Sequence, residues 1–137
     1  METGEIIALD IGEKKIGVAR ASRSARIAEP LVTLPADGAL EKITELINKN
    51  NVQAVIVGLP RNLSGEDTPQ TKWVRDWVTK AKARIEVPLY WQDEALTSQK
   101  AESFKLKAKN SIDEHALAAA IILQDFLDTD KRERVLA

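Results

Sequence analysis

The sequence predicts a single α/β domain in which helices cover the faces of a mixed β-sheet. Three strand-like segments joined by short turns open the chain, which is the pattern of an antiparallel meander. Residues 52–59 (VQAVIVGL) form a continuous apolar run, typical of a strand buried on both faces. Helix-periodic segments then cross between the later strands, so the predicted element order is β-β-β-α-β-α-β-α-α.

Composition excludes several kinds of site. The chain of 137 residues contains no Cys, which excludes disulfides, thiolate nucleophiles and cysteine-ligated zinc. Its only His is His115, so a multi-histidine metal centre is excluded as well. No targeting segment and no apolar stretch of membrane-spanning length is visible. We therefore expect a cytoplasmic protein with no membrane partner, folded as one domain over residues 1–130 and followed by a charged, frayed tail at 131–137.

The first half of the chain supplies four predicted strands and one predicted helix. The strands are expected at residues 6–10, 16–21, 27–34 and 52–59. Asp37 is expected to cap the helix, which ends at Asn50–Asn51. Its core-facing side is expected to be the apolar stripe formed by Leu40, Ile43, Leu46 and Ile47.

A second helix is predicted to begin at Thr68, with Pro69 in its first turn, and to run to about Lys82. Trp73 and Trp77 recur on this helix at helical spacing, each followed directly by a valine. Because this spacing is typical of a core-facing stripe, both rings are assigned to the core rather than to stacking on bases.

The remaining elements are one strand and two helices. Residues 85–91 predict a short strand, which Pro88 places at an edge of the sheet or makes irregular. A helix is expected from Thr97 or Ser98 to about Lys107, and Asp113 opens the final helix.

Carboxylates stand at three element ends. Asp10 closes the first strand, Asp93–Glu94 follow the last strand, and Asp113–Glu114 open the final helix. Ligands gather at the carboxyl ends of parallel strands, and carboxylates that converge there repel one another unless a cation joins them. Mg²⁺ prefers such oxygens, and two ions about 4 Å apart can clamp the attacking and leaving oxygens of a phosphodiester. Each acid also has a structural alternative, as a turn or helix cap or as a solvated side chain.

Four segments together resemble the YqgF/RuvX family: ALDIGEKKIGVA, VIVGLPRNLSGEDTPQT, DEALTSQKAE and IILQDFLD. Members of that family are described as Holliday junction resolvases and as nucleases that mature pre-16S ribosomal RNA. The resemblance implies an RNase H-like fold with a mixed five-stranded sheet, and phosphodiester cleavage that depends on Mg²⁺ or Mn²⁺. It also implies that Asp10 is the metal ligand of the first strand and that Glu94 is the acid of the Asp-Glu motif.

The third ligand has two candidates. Counted back from the Ile-Leu-Gln of the final helix without a gap, the family's aspartate falls on His115, whereas the chain's own aspartate lies two residues earlier, at Asp113. Residues two apart on a helix point nearly opposite ways, so the two are alternatives. Asp113 is preferred because Mg²⁺ favours oxygen, while a neutral His115 can bind a metal or shuttle a proton. The chain also departs from the family at Ala95, where an Arg is usual.

Five further residues are candidates for nucleic-acid contacts. Gly12 allows the first turn to approach a phosphate closely, and Lys14 and Lys15 in that turn are expected to contact backbone phosphates. Arg61 and Asn62, which follow the buried strand, are expected to reach the nucleic-acid backbone.

The favoured function is therefore a metal-dependent nuclease that acts on structured nucleic acid, either at the 5′ end of pre-16S rRNA or at a Holliday junction in DNA. The ribosome is a further expected partner, and the active form is a monomer or a homodimer. Two alternatives remain: a catalytically silent RNA-binding or ribosome-assembly module on the same fold, and an actin-like phosphate-binding domain. The last would need a second domain that 137 residues do not supply.

Overall fold

A computed structural model describes residues 4–60, 64–93, 114–129 and 134–137. The strands within these residues are β1 (Glu5–Ile11), β2 (Lys15–Ser22), β3 (Glu29–Pro35), β4 (Val52–Leu59), β5 (Leu89–Asp93) and β6 (Val135–Leu136). The helices are α1 (Ala39–Lys49), α2 (Pro69–Lys82) and α3 (Glu114–Asp128). No helix in these ranges is both long and apolar enough to cross a membrane.

The strands form one mixed sheet in the order β3-β2-β1-β4-β5-β6. β1, β2 and β3 pair antiparallel, which confirms the predicted meander. β4 pairs parallel with β1, and β5 pairs parallel with β4, so helices cross between these strands as predicted. The two central strands of the sheet are therefore β1 and β4.

The predicted count of five strands is wrong, because the chain's last residues add a sixth. Val135 and Leu136 pair antiparallel with Trp91 and Tyr90 of β5, and the Ala137 N–H donates to the Leu89 carbonyl oxygen at 2.9 Å. The expectation that this tail frays is corrected by the same contacts. An unpaired edge of β5 offers main-chain donors and acceptors, and even a short segment of charged composition can satisfy them.

The sheet separates two apolar layers because successive side chains of a strand point to opposite faces. Ile7, Leu9 and Ile11 of β1 face the layer that holds α1 and α2. Ile6 and Ala8 face the layer that holds α3. Nine residues of α3 are buried, too many for a single stripe, so this helix is enclosed nearly all round.

The start of α1 differs from prediction. Gly38 occupies the N-cap position with φ of 77°, and no side chain among the described residues caps the helix, so the predicted Asp37 cap is wrong. Glycine adopts this left-handed backbone without steric penalty. Two residues earlier the chain is already held in place, because the Ala36 N–H donates to the Lys14 carbonyl oxygen at 2.8 Å.

The start of α2 confirms the prediction and is secured by two threonines. The Thr71 N–H donates to the Thr68 side-chain oxygen at 3.3 Å, and the Thr68 N–H donates to the Thr71 hydroxyl at 2.9 Å. Pro69 occupies the first turn, and the helix ends at Lys82 as predicted.

The predicted burial of the two α2 tryptophans holds for only one of them. Trp77 packs against the core, whereas Trp73 is 45% exposed. At about 100° per residue, the buried face of α2 is centred between Val74 and Val78, and Trp77 lies nearer to the middle of that face than Trp73 does.

Strand β5 begins at Leu89, directly after Pro88, rather than at residue 85. The Pro88 carbonyl oxygen accepts from the Val55 N–H at 2.9 Å, so the proline joins the sheet only as an acceptor. The predicted helix over 97–107 and the predicted opening of the last helix at Asp113 lie outside the described residues.

Candidate functional site

Asp10 lies near the end of β1, in the middle of the sheet. It pairs with Gly17 of β2 across the antiparallel ladder. By the alternation of β1, its side chain is on the same face as Ile6 and Ala8, which is the face covered by α3. Asp10 is half-buried, so its carboxylate stands at the border between the apolar layer and solvent.

The three parallel strands end at the same edge of the sheet. Leu9 pairs with Val57, so Asp10 and Gly58 are the next residues along β1 and β4. Leu59 in turn pairs with Asp93 at the end of β5. The register thus places Asp10 and Asp93 at one edge, which we call the carboxyl edge. Glu94, the predicted ligand that follows Asp93, lies outside the described residues.

The first turn of α3 reaches this edge through a close backbone contact. A Cβ atom added to Gly17 would lie 1.8 Å from the His115 carbonyl oxygen and 2.8 Å from the Ala116 nitrogen. Only a glycine permits such an approach, because real Cβ atoms do not come within 3 Å of a backbone atom. Since Gly17 is the partner of Asp10, the start of α3 is held one strand away from the carboxylate.

Gly17 was not among the residues predicted to build the site, although it carried a recognisable signal. A glycine inside a strand marks a place where another backbone comes close. His115, the second residue of α3, is half-buried at this place. Its competitor Asp113 lies outside the described residues, so the choice between the two stays a prediction.

The metal-ligand set also stays a prediction. Within residues 4–60, 64–93, 114–129 and 134–137, no three His, Asp or Glu side chains are grouped so as to hold an ion. Two of the predicted ligands, Glu94 and Asp113, fall outside these ranges. Asp10 is the one predicted carboxylate ligand that the described residues include.

The turn between β1 and β2 is tight for an internal reason. The Gly12 N–H donates to the Lys15 carbonyl oxygen at 3.0 Å, and a Cβ on Gly12 would lie 2.7 Å from that oxygen. The close approach that shuts this turn is thus enough to explain why residue 12 is a glycine, and no contact with a phosphate is needed to explain it. Lys14 and Lys15 are exposed beside the carboxyl edge, where their ammonium groups are accessible to an anion.

The end of β4 is tied to the start of α2. Thr71 is fully buried, and its hydroxyl donates to the Pro60 carbonyl oxygen. Arg61 and Asn62, predicted to contact the nucleic-acid backbone, lie outside the described residues but directly follow Pro60 in sequence. The α2 start therefore belongs to the same carboxyl edge as Asp10.

A cavity of about 510 Å³ lies at the opposite edge of the sheet. It opens between the end of α1, where Asn48 lines it, and Val52 at the start of β4. None of the predicted site residues lines it, so it is separate from the carboxyl edge.

Comparisons with known proteins identify relatives of this chain. Residues 4–129 match the family model RuvX, described as Holliday junction resolvase. A relative from Roseiflexus sp. (strain RS-1), named as a candidate pre-16S rRNA nuclease, is 39% identical over 95% of this chain and 98% of its own length. A relative of the same name from Chloroflexus aggregans is 40% identical over 93% of this chain and 96% of its own length.

The fold is shared with a solved resolvase. The structure of T. thermophilus RuvC in complex with a Holliday junction substrate covers 98% of this chain and 99% of its own, with a TM-score of 0.64 and 16% identity. The RNase H-like fold class predicted from the resemblance is thereby confirmed, with six strands in place of five. The match over residues 4–129, together with relatives about 40% identical over nearly the whole chain, shows that this chain belongs to the RuvX family of Holliday junction resolvases.

Proposed function

We propose that this protein is a divalent-metal-dependent nuclease whose cutting site lies at the carboxyl edge of the sheet. The observation that carries the proposal is the placement of Asp10. It is a half-buried carboxylate at the end of a central strand, and its partner Gly17 is in backbone contact with the first turn of α3. A carboxylate held at such a border is placed where it can bind a divalent ion, because Mg²⁺ and Mn²⁺ favour oxygen ligands.

Asp10 and Glu94 would hold the ion, with Asp113 or His115 as the third ligand. One or two Mg²⁺ or Mn²⁺ ions would supply charge stabilisation at the scissile phosphate and an activated water. Among the chain's own residues, the buried ladder around Asp10 fixes the carboxylate, and Lys14 and Lys15 hold the neighbouring phosphates by charge.

The substrate class we favour is RNA, at the 5′ end of the 16S rRNA precursor. The relatives that are about 40% identical over nearly the whole chain carry the name of a pre-16S rRNA nuclease. The RuvC structure that contains a Holliday junction is 16% identical, which supports a common fold alone. A protein acting on this substrate would work in the cytoplasm on ribosome precursors.

The test is a cleavage assay with a matched pair of variants. The purified chain is incubated with Mg²⁺ or Mn²⁺ and either an RNA that carries the 16S leader or a four-way DNA junction. We expect the RNA to be cut, Asp10→Asn to abolish cutting, and Glu13→Gln, an equal charge change in the exposed turn, to retain it. Cutting of the junction alone would transfer the proposal to DNA, and retention of full activity by Asp10→Asn would overturn the assigned site.

A catalytically silent RNA-binding module is the second candidate, and Ala95 favours it. An Arg at this position would contribute a phosphate contact that alanine cannot make. This alternative predicts that cells whose only copy is Asp10→Asn assemble ribosomes normally. A processing defect equal to that of the gene deletion would reject the silent module.

A further inference from the structure

Helix α2 concentrates positive charge. Although the chain has a net charge of −1, this helix carries four basic residues and one acid. The basic residues are Lys72, Arg75, Lys80 and Lys82. A local excess of this kind attracts phosphates even when the whole protein is nearly neutral.

An unusual aromatic side chain stands on the same helix. Trp73 is 45% exposed, whereas Trp77 and Trp91 pack against the core. Lys80 follows Trp73 by seven residues, which is two helical turns, so it lies on the same side about 10 Å further along the axis. The exposed ring thus has an exposed ammonium group on its own stripe and another, Lys72, beside it in the sequence.

The position of Trp73 relates it to the carboxyl edge. The buried Thr71 hydroxyl anchors the first turn of α2 to Pro60, directly after β4. Trp73 is the fifth residue of the helix and lies roughly 6 Å along its axis from Pro69. Helices α2 and α3 cover opposite faces of the sheet, and Asp10 lies on the face of α3. A strand of nucleic acid that contacts both Asp10 and Trp73 would therefore have to pass across the carboxyl edge from one face to the other.

Arg75 does not share this role, because the fold already uses it. Its Nε atom pairs with an Asp67 carboxylate oxygen at 3.2 Å, and its guanidinium lies 5.6 Å from the centre of the Trp91 ring. These contacts fix Arg75 on the flank that faces β5. The exposed stripe of Trp73 and Lys80 lies on another side of the helix.

We propose that Trp73 stacks on an unpaired base of the nucleic-acid substrate while Lys72 and Lys80 bind the adjacent phosphates. An aromatic ring stacks on any base whose face is exposed, and a duplex hides those faces, so the segment that reaches α2 is single-stranded. The inference rests on the proposed function for its choice of nucleic acid and adds that the substrate has an unpaired stretch beside the scissile bond. The basic character of α2 favours a polyanion over a protein partner.

The test measures binding in the full chain with Asp10→Asn, so that no substrate is cut. The probes are a single-stranded RNA of about 12 nucleotides, within the range that such platforms cover, and the same RNA in a duplex. We expect Trp73→Ala to weaken single-strand binding roughly 5- to 100-fold, the loss found when one stacked base is released, and duplex binding less than about two-fold. Trp73→Phe, which keeps a ring, should retain most of the affinity, and the RNA should quench less tryptophan fluorescence in Trp73→Ala.

Ile27→Ala is the matched control, since Ile27 is a large apolar side chain, 70% exposed, in the connection between β2 and β3, and it should bind both probes as the parent does. Unchanged single-strand affinity in Trp73→Ala would overturn the proposal and leave the ring as a protein-docking residue. Equal losses for single strand and duplex would overturn it as well. Cleavage by the chain with Asp10 intact is assayed separately. If the parent cuts RNA but Trp73→Ala binds the single strand as tightly as the parent, only the stacking role of Trp73 is rejected. If Trp73→Ala loses single-strand affinity but the parent does not cut, only the proposed nuclease activity is rejected.

Discussion

Gly17 of β2 and His115 of α3 meet backbone to backbone, so closely that a Cβ on the glycine would lie 1.8 Å from the histidine's carbonyl oxygen. This contact sets the depth at which α3 sits on the sheet. It also sets the distance between the start of α3 and Asp10, the ladder partner of Gly17.

Gly17→Ala should therefore displace α3. Neither neighbour of the added methyl is a flexible side-chain end, so we expect a loss of about 3 kcal/mol or more in the free energy of unfolding. Thermal or urea unfolding measures it. Gly65→Ala is the contrast, because Gly65 has a positive φ but, among the described residues beyond its two chain neighbours, no atom within 4 Å of its added Cβ, and it should lose only about 1 kcal/mol. Equal unfolding temperatures for Gly17→Ala and the parent would contradict the contact.

Thr33→Val should stabilise the protein. Thr33 pairs with Gly17 on the side away from Asp10, and its hydroxyl oxygen is buried with no hydrogen-bond partner in the part of the chain described above. Valine replaces that hydroxyl by a methyl of the same shape, which should gain about 1 kcal/mol and raise Tm by roughly 3–5 °C. Thr33→Ser, which keeps the hydroxyl and loses the methyl, should lower Tm. A drop in Tm for Thr33→Val would show that the hydroxyl has a partner.

Thr71→Val should loosen the joint between β4 and α2. It removes the buried hydroxyl that donates to Pro60 and that accepts from the Thr68 N–H. The expected loss is about 2 kcal/mol, because the variant loses one helix cap and removes the donor to the part-buried Pro60 carbonyl. Thr79→Val is the control, because the Thr79 hydroxyl is exposed and bonds only within its own helix, to Arg75. Losses of similar size in both variants would argue against the joint.

Arg26→Gln should destabilise the end of α3 in a salt-dependent way. One Arg26 terminal nitrogen donates to the Leu127 carbonyl oxygen at 2.6 Å, which places a positive charge at a helix C-terminus. We expect a loss of about 1 kcal/mol at low ionic strength and a smaller loss in high salt, since the group is exposed. Unfolding at two salt concentrations checks this, with Arg26→Lys as the variant that keeps the charge. If the loss of stability were the same at both salt concentrations, the charge of Arg26 would not contribute, and the hydrogen bond alone would explain the effect.

Divalent ions should stabilise the protein through Asp10 even without substrate. An ion that binds only the folded state at 100 times its Kd would add about 2.7 kcal/mol. We expect Mg²⁺ or Mn²⁺ to raise Tm of the parent and of Glu13→Gln, and to leave Tm of Asp10→Asn unchanged. An equal rise in all three would place the ion elsewhere.

Local patterns predicted much of the fold. β4 occupies the predicted residues because its apolar run has sharp borders at Asn51 and Pro60. The helix α2 begins and ends as expected because Thr68, Pro69 and the later lysines carry their signals in the sequence. The apolar run that ends at Asp10 likewise predicted that this residue lies at the end of the first strand, which is at the carboxyl edge.

The features that were missed depend on contacts distant in sequence. β6 forms only because β5 offers an unpaired edge, and no composition rule assigns a strand to a charged tail. Trp73 and Trp77 lie one helical turn apart, yet packing on the sheet fixes which face of α2 is buried, and only Trp77 lies close enough to that face to contact the core. The role of Gly17 depends on a helix that begins about a hundred residues later.

That separation has a consequence for folding. Helix α3 is bonded to residues near the start of the chain. The hydrogen bond from Arg26 to Leu127, for example, joins residues that are 101 positions apart. Contacts of such high sequence separation form after the local ones, because chain closure must precede them. We therefore expect a half-folded molecule to carry Asp10 on its hairpin without α3 seated beside it. On that expectation the proposed cutting site is complete only after α3 has docked, and a partly folded chain would not cut the nucleic acid around it.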